Sequence, residues 1–403
     1  MPDPTRLAAF DLLNAVLEKR RTLDEALAGL PAIDPRDRAA AHRLAAAVLR
    51  RAGTLDAVLE PFLRKAPPDP VRAVLRLGAA ALLLLGTPAH AAVATAVGLA
   101  RARGLAPFTG LVNAVLRKVA VASLEGLDSP RLDTPPWLWA SWGRDARAIA
   151  EAHQHEAAID LSLKPGAVAP PGGVALPTGS WRYPPGTRVA ELPGFAAGDF
   201  WVQDAAAALP ALVLAARPGE RIADLCAAPG GKTAQLAAAG ADVTAVEQNP
   251  ARLGRLRENL GRLRLSATVV EADAATWRPD GAFDAVLLDA PCTATGTIRR
   301  HPEILHLRRP RDVAAMAAQQ DRLLEAACAM LRPGGRLVYA VCSLQPEEGP
   351  ERIAAALASL PLRGVAITGC PVPQALTREG CVRTTPAMMG GMDGFFIAGL
   401  VRV

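Results

Sequence analysis

The chain has 403 residues, 51% of them apolar, enough for two or three domains with a core in each. Lys and Arg number 45 against 39 Asp and Glu, and residues 1–130 hold 17 of those cations against 12 acids. The basic excess lies in the first third and suits a polyanionic partner. The charged start, and an apolar stretch no longer than Leu77 to Gly86, argue against a secretory signal and a membrane span.

Cys226, Cys292, Cys328, Cys342, Cys370 and Cys381 form no Cys-x-x-Cys pair and have no histidine at zinc-finger spacing. Free thiols in a reducing cytoplasm are expected, with no bound metal.

From Thr5 to Leu124 the apolar residues recur at helical spacing. Leu7, Phe10, Leu13, Val16 and Leu17 share one face, as do Leu44, Val48, Leu55, Val58 and Leu59. Prolines 31, 35, 61, 67, 68, 70 and 88 divide this stretch into short helices. We expect an all-α domain over 1–128. A segment rich in Pro and Asp follows, then a helical piece from Trp137 to His155. A Gly- and Pro-dense run from Ile159 to Phe200 reads as short strands, including Val174–Leu176 and Val189–Leu192. Residues 129–200 are therefore expected to form a linker and a small cap.

From 201 to 403 the texture alternates. Apolar runs ending at Leu225, Glu247, Asp273, Asp289 and Cys342 are separated by helical segments over 233–239, 252–263 and 313–330. Such alternation predicts a doubly wound, Rossmann-like parallel sheet, whose ligands bind beyond the carboxyl ends of the strands.

Asp224-Leu-Cys-Ala-Ala-Pro-Gly-Gly-Lys-Thr233 joins the first of these strands to its helix. Gly230 and Gly231 permit close backbone approach to a nucleoside-like ligand. A phosphate-binding P-loop would need glycine where Cys226 stands, and no Gly-x-Gly-x-x-Gly is present, so triphosphatase and dinucleotide readings fall away. Glu247 is placed to accept from a ribose, and Asp273 to reach an adenine amine.

Cys292, in Asp289-Ala-Pro-Cys292, and Cys342, in Val341-Cys342-Ser343, both follow strand-like runs. A thiolate adding to C6 of cytosine makes C5 nucleophilic, and a second thiol can help the product leave. Asp289 is placed to stabilise charge at N3, and Lys232 to lower a thiol's pKa. Arg299, Arg300 and His301 follow closely and are expected to grip RNA phosphates.

Taken together, these motifs resemble the Sun/Fmu family of RNA cytosine-C5 methyltransferases. The resemblance rests on Cys226-Ala-Ala-Pro-Gly-Gly-Lys232, Asp289-Ala-Pro-Cys292, Ile298-Arg-Arg-His-Pro-Glu303, Cys342-Ser with Gln345-Pro-Glu-Glu348, and Asp393-Gly-Phe-Phe396. Residues 1–125 resemble its NusB-like RNA-binding domain. The resemblance implies that Cys226, Ala227, Ala228, Pro229, Gly230, Gly231, Lys232, Glu247, Asp273 and Asp289 contact S-adenosyl-L-methionine. It implies Cys342 as nucleophile, Cys292 as the thiol assisting release, and Asp289 and Lys232 facing the cytosine. Glu247 stands where the family commonly has Asp, and Val341 where it has Thr. The implied substrate is 16S rRNA, bound by a monomer. Transfer RNA is the alternative substrate, and a non-catalytic RNA-binding ribosome assembly factor the alternative from another class.

Overall fold

Capping residues set where the first helices begin. Asp3 accepts from the backbone N–H of Arg6 and Asp34 from that of Arg36, each just ahead of a proline at the helix start. Thr22 and Glu25 form a reciprocal capping box. The computed structural model describes residues 3–403. Its chain divides into two compact units, Met1–His155 with Ile298–Arg308, and Glu156–Thr297 with Arg309–Val403.

In the first unit, helices α1 (Pro4–Leu17), α2 (Leu23–Ala28), α3 (Pro35–Arg50), α4 (Ala52–Leu59), α5 (Asp69–Leu83), α6 (Ala89–Ala102) and α7 (Thr109–Val119) follow one another. They enclose a core that includes Leu12, Leu13, Leu44, Leu55, Leu75 and Leu116. The abundant alanines on these faces allow close helix approach, so an aromatic-poor sequence still packs densely. Three short helices follow: α8 (Ser129–Leu132), α9 (Pro136–Trp142) and α10 (Ala146–His153). These three helices belong to the same compact unit as α1 to α7. Asp133 fastens them there: it is buried and accepts from Arg51 Nε at 2.9 Å, Thr54 N at 2.7 Å and Thr54 Oγ1 at 2.7 Å.

The second unit opens with β1 (Ile159–Leu163), β2 (Val174–Ala175), β3 (Trp181–Tyr183) and β4 (Phe200–Val202), an antiparallel sheet ordered β2-β3-β1-β4. Val189–Glu191 forms a 3-10 turn rather than the expected strand. Short apolar runs of this kind do not discriminate helix from strand. The main sheet comprises β5 (Arg221–Leu225), β6 (Asp242–Glu247), β7 (Thr268–Glu271), β8 (Phe283–Asp289), β9 (Leu331–Val341), β10 (Leu362–Val365), β11 (Val382–Arg383) and β12 (Phe396–Arg402). Its helices are α11 (Ala205–Leu214), α12 (Gly231–Ala238), α13 (Pro250–Leu263), α15 (Pro310–Met330) and α16 (Pro350–Ser359), while α14 (Ile304–Leu307) belongs to the first unit.

Strand order is β10-β12-β9-β8-β5-β6-β7, with β11 beside β12. The five strands β5 to β9 are parallel, whereas β12 runs antiparallel to β9, and β10 and β11 antiparallel to β12. The sheet is thus mixed, not wholly parallel. The parallel part puts the last residues of β5, β6, β8 and β9 on one edge, with Leu225 in register with Val246 and Leu288, and Asp289 with Ala340.

Candidate active site

The turn from β5 into α12 is held from below by α13. Arg252 Nη2 donates to Ala228 O at 2.6 Å and Asn259 Nδ2 to Pro229 O at 2.9 Å. Gly230 has φ +101°, and a Cβ there would lie 2.5 Å from Leu256 Cδ1, so only glycine fits. The expected cofactor residues Cys226, Ala227, Ala228, Pro229, Gly230, Gly231 and Lys232 are all brought into this one turn. Burial, with Glu247 and Asp289 behind it, pushes the Cys226 thiol well up, so it stands there as a neutral group.

Glu247 ends β6 and is 2% exposed. Its Oε1 accepts from Asn249 N at 2.9 Å, while Oε2 accepts no hydrogen bond and has Arg252 Nη1 3.4 Å away. A buried carboxylate oxygen with spare capacity at a strand's carboxyl end is what a ribose hydroxyl requires. Asp273, beyond β7, is exposed, and its Oδ1 caps Ala275 N at 3.0 Å.

Lys232 and Asp289 form an ion pair of 2.8 Å, joining the start of α12 to the end of β8. Burial works against the Lys232 ammonium. Asp289 outweighs it, with Asp224 and Cys342 adding to the same side, and the lysine is held above its ordinary value. The ammonium also sits 5.4 Å from the centre of the Phe395 ring.

Cys292 and Cys342 follow the adjacent parallel strands β8 and β9, and their sulfurs are 3.4 Å apart. Cys292 is the more buried of the two. The hydrogen bond with Cys342, then burial, then the charges of Cys342 and Glu348 raise the Cys292 thiol well above the usual range. The proton therefore stays on Cys292. A backbone bond ties the two thiol loops, Gly296 N to Cys342 O at 3.0 Å, and the loop ahead of β12 joins them through Gly394 N to Gly296 O at 2.8 Å. A Cβ on Gly296 would lie 1.9 Å from Gly394 O, so this contact admits no side chain.

Three residues that sequence reasoning gave no role stand among these groups. Asp224 is fully buried in β5, accepts from Thr233 Oγ1 at 2.5 Å and is pushed by burial to a pKa of about 7. Glu348 is fully buried between the thiol loops. Phe395 flanks Lys232. All three lie inside the motifs noted above, which was the available signal.

The expected RNA-gripping residues divide. Arg300 is exposed and His301 half-buried, but Arg299 is only 3% exposed, so its side chain faces protein and not a phosphate. This segment packs within the first unit: Arg50 Nη2 donates to Arg299 O at 3.1 Å, and His306 Nε2 lies 2.8 Å from Leu49 O. Among the described residues, no cluster of His, Cys, Asp and Glu is built to hold a metal, and no helix is long and apolar enough to cross a membrane.

A family model described as 16S rRNA methyltransferase RsmB/F matches residues 211–401, and the NusB family model matches residues 3–121. The ribosomal RNA small subunit methyltransferase B of Xanthomonas campestris pv. campestris is 40% identical to the chain, over 88% of the chain and 87% of the relative. The protein of that name from Pseudomonas putida is 37% identical, over 99% and 98%. Among solved structures, the protein titled PH0851 superposes with a TM-score of 0.79 over 99% of both chains, at 23% identity. A methyltransferase homologue from Pyrococcus horikoshii gives 0.56 at 28% identity, over 69% of this chain and 96% of its own.

Proposed function

The chain belongs to the family of the ribosomal RNA small subunit methyltransferases B, and from that membership and its thiol pair we propose that it methylates C5 of a cytosine in 16S rRNA. It is an S-adenosyl-L-methionine-dependent RNA methyltransferase. The observation that carries the cytosine-C5 reading is the 3.4 Å separation of Cys292 and Cys342, with the Lys232–Asp289 pair beside them.

The residues at the β5, β6 and β8 ends fit the cofactor. The orphaned Oε2 of Glu247 suits its ribose, and the Cys226–Lys232 turn, Asp273 and Asp289 complete the set of candidate contacts. When bound, S-adenosyl-L-methionine supplies the methyl group that C5 receives.

This chain's residues do the rest. Cys342 Sγ, as thiolate, adds to C6; the C5–C6 π electrons move toward N3, which takes a proton held by the Lys232–Asp289 pair. Forming the Sγ–C6 bond removes the negative charge beside Cys292, whose thiol then ionises more readily. Once C5 is methylated, Cys292, having given its own proton to solvent, takes the C5 proton as thiolate; the C5–H electrons re-form the C5–C6 double bond, the Sγ–C6 bond breaks with Cys342 departing as thiolate, and N3 returns its proton to the Lys232–Asp289 pair. The base must be unstacked for Cys342 to reach C6, which favours a loop or single-stranded segment over a duplex. The helical unit, with the basic excess of residues 1–130 and its exposed Arg300, supports RNA binding. This reading takes the enzyme to be a cytoplasmic monomer.

The test is methyl transfer from labelled cofactor to unmodified 16S rRNA and, separately, to transfer RNA, followed by nucleoside analysis. Labelled 5-methylcytidine from 16S rRNA supports the proposal. Label from transfer RNA alone moves the substrate, and no label from either RNA favours a non-catalytic assembly factor.

A further inference from the structure

Glu348 stands out because burial pushes its carboxyl up from the ordinary glutamate range, while neutral donors from Ser343, Thr293 and Gln320 work the other way and favour the charged form. It lies in the turn Pro346–Glu348 after β9 and has no exposed surface. Its Oε1 accepts from Thr293 N at 2.8 Å and Gln320 Nε2 at 3.3 Å. Its Oε2 accepts from Thr293 Oγ1 at 2.5 Å and from Ser343 Oγ. Neither Lys nor Arg is among these partners. Thr293 immediately follows Cys292, and Ser343 immediately follows Cys342. One side chain therefore grips the residue next to each thiol.

The surrounding bonds stiffen that grip. Gln320 Nε2 also donates to Pro291 O at 2.8 Å, just before Cys292. Thr295 Oγ1 lies 3.1 Å from Ser343 Oγ and accepts from Leu344 N at 3.0 Å. Tyr339 Oη donates to the Glu348 carbonyl at 2.6 Å, fixing the turn itself to β9.

Resting on the reaction proposed above, we propose that Glu348 is the positioning residue of the thiol pair: it sets the approach of the two sulfurs and keeps a negative charge beside Cys292. A merely structural anchor would be served as well by an uncharged group. The charge has a chemical consequence, because it makes the Cys292 sulfur a stronger proton acceptor when the C5 proton must leave. Glu348 thus acts on release of the methylated base more than on formation of the covalent complex.

The experiment compares Glu348→Gln, Cys292→Ala and the unaltered full-length enzyme with S-adenosyl-L-methionine and unmodified 16S rRNA. Formation and decay of the covalent protein–RNA band are followed on denaturing gels across pH. E348Q keeps the side-chain shape and one acceptor oxygen. It is expected to form the band within about twofold of the normal rate and, on the high-pH plateau where Cys292 is thiolate in both enzymes, to release it up to about tenfold more slowly, the effect of one pKa unit on the basicity of Cys292 if proton transfer limits release. The midpoint of its release profile is expected to move to lower pH.

Equal slowing of formation and release, or an unshifted pH midpoint, would overturn the proposal. If E348Q does not melt cooperatively, Thr293→Val decides: it removes one clamping hydroxyl and leaves the charge, so it must accumulate the band without moving the midpoint. A T293V enzyme that accumulates no band also overturns it. A band from C292A with none from E348Q rejects the role of Glu348 alone, whereas no band from C292A rejects the underlying reaction.

Discussion

Cys292 Sγ lies 3.4 Å from Cys342 Sγ, although 50 residues separate them in the chain. The sulfurs meet because β8 and β9 are adjacent and parallel, with Asp289 in register with Ala340, so the loops leaving both strands turn over the same edge. Parallel pairing supplies the proximity, and the hydrogen bonds between the loops fix it. The pair is asymmetric: Cys292 is deeper and keeps its proton, while Cys342 is more exposed and its charge acts on Lys232.

Under the proposed reaction, the Lys232–Asp289 pair couples stability to chemistry. Asp289→Asn leaves the buried Lys232 ammonium facing a neutral amide, and breaking such a pair costs about 3 kcal/mol. Denaturant unfolding is expected to show that loss, together with a drop in lysine basicity. Methyl transfer should fall at least 100-fold, the scale on which general acid–base catalysis operates. A variant with normal activity would remove Asp289 from the mechanism.

Asp224 predicts a pH dependence of folding. Its ordinary value is 3.8, and burial raises it to about 7 in the folded chain. Between those values the folded state holds a proton that the unfolded state has lost, so stability falls as pH rises through this window. The contribution is full below pH 3.8 and gone above about pH 7. Asp224→Asn carries no such proton. Its melting temperature relative to the unaltered chain is expected to climb between about pH 4 and pH 7 and then stay level. A difference independent of pH would show that Asp224 does not titrate there.

Glu247 tests the cofactor assignment. Glu247→Gln retains an Oε1 that can accept from Asn249 N and replaces the orphaned oxygen with an amide donor. Loss of one charge-assisted hydrogen bond, about 1.5 kcal/mol, should weaken S-adenosyl-L-methionine binding roughly tenfold by calorimetric titration. Unchanged affinity would move the ribose contact elsewhere.

Arg299 and Arg300 should separate cleanly despite being neighbours. Arg300→Ala is expected to lower RNA affinity for all sequences alike and to reduce the salt slope by about one phosphate contact, with no change in melting temperature. Arg299 is buried against protein, so Arg299→Ala should lower stability of the helical unit. Filter binding across salt concentrations and thermal melts distinguish the two.

Much of the catalytic architecture is legible in the sequence because its strands are short apolar runs that each end at a functional residue. The strand Arg221–Leu225 is recovered at its carboxyl end, and β8 and β9 are recognised by the thiols that follow them. What escapes depends on distant contacts. Asp133 fastens α8 to the first unit through Thr54, 79 residues earlier, and no local pattern announces that bond. The antiparallel strands β10 to β12 escape because two-residue β11 and the Gly- and Pro-rich stretch before it resemble loop. Arg299 looks like a surface cation beside Arg300 until its backbone is seen bonded to Arg50. Glu348 looks like one acid in an acidic turn; its role emerges only from the loops that close over it.

The most direct measurement is a denaturing gel of the Cys292→Ala enzyme after incubation with S-adenosyl-L-methionine and unmodified 16S rRNA. The account predicts a covalent protein–RNA band that disappears when Cys342 is replaced as well. A band that survives loss of Cys342, or no band from folded protein that still binds the cofactor, would contradict it.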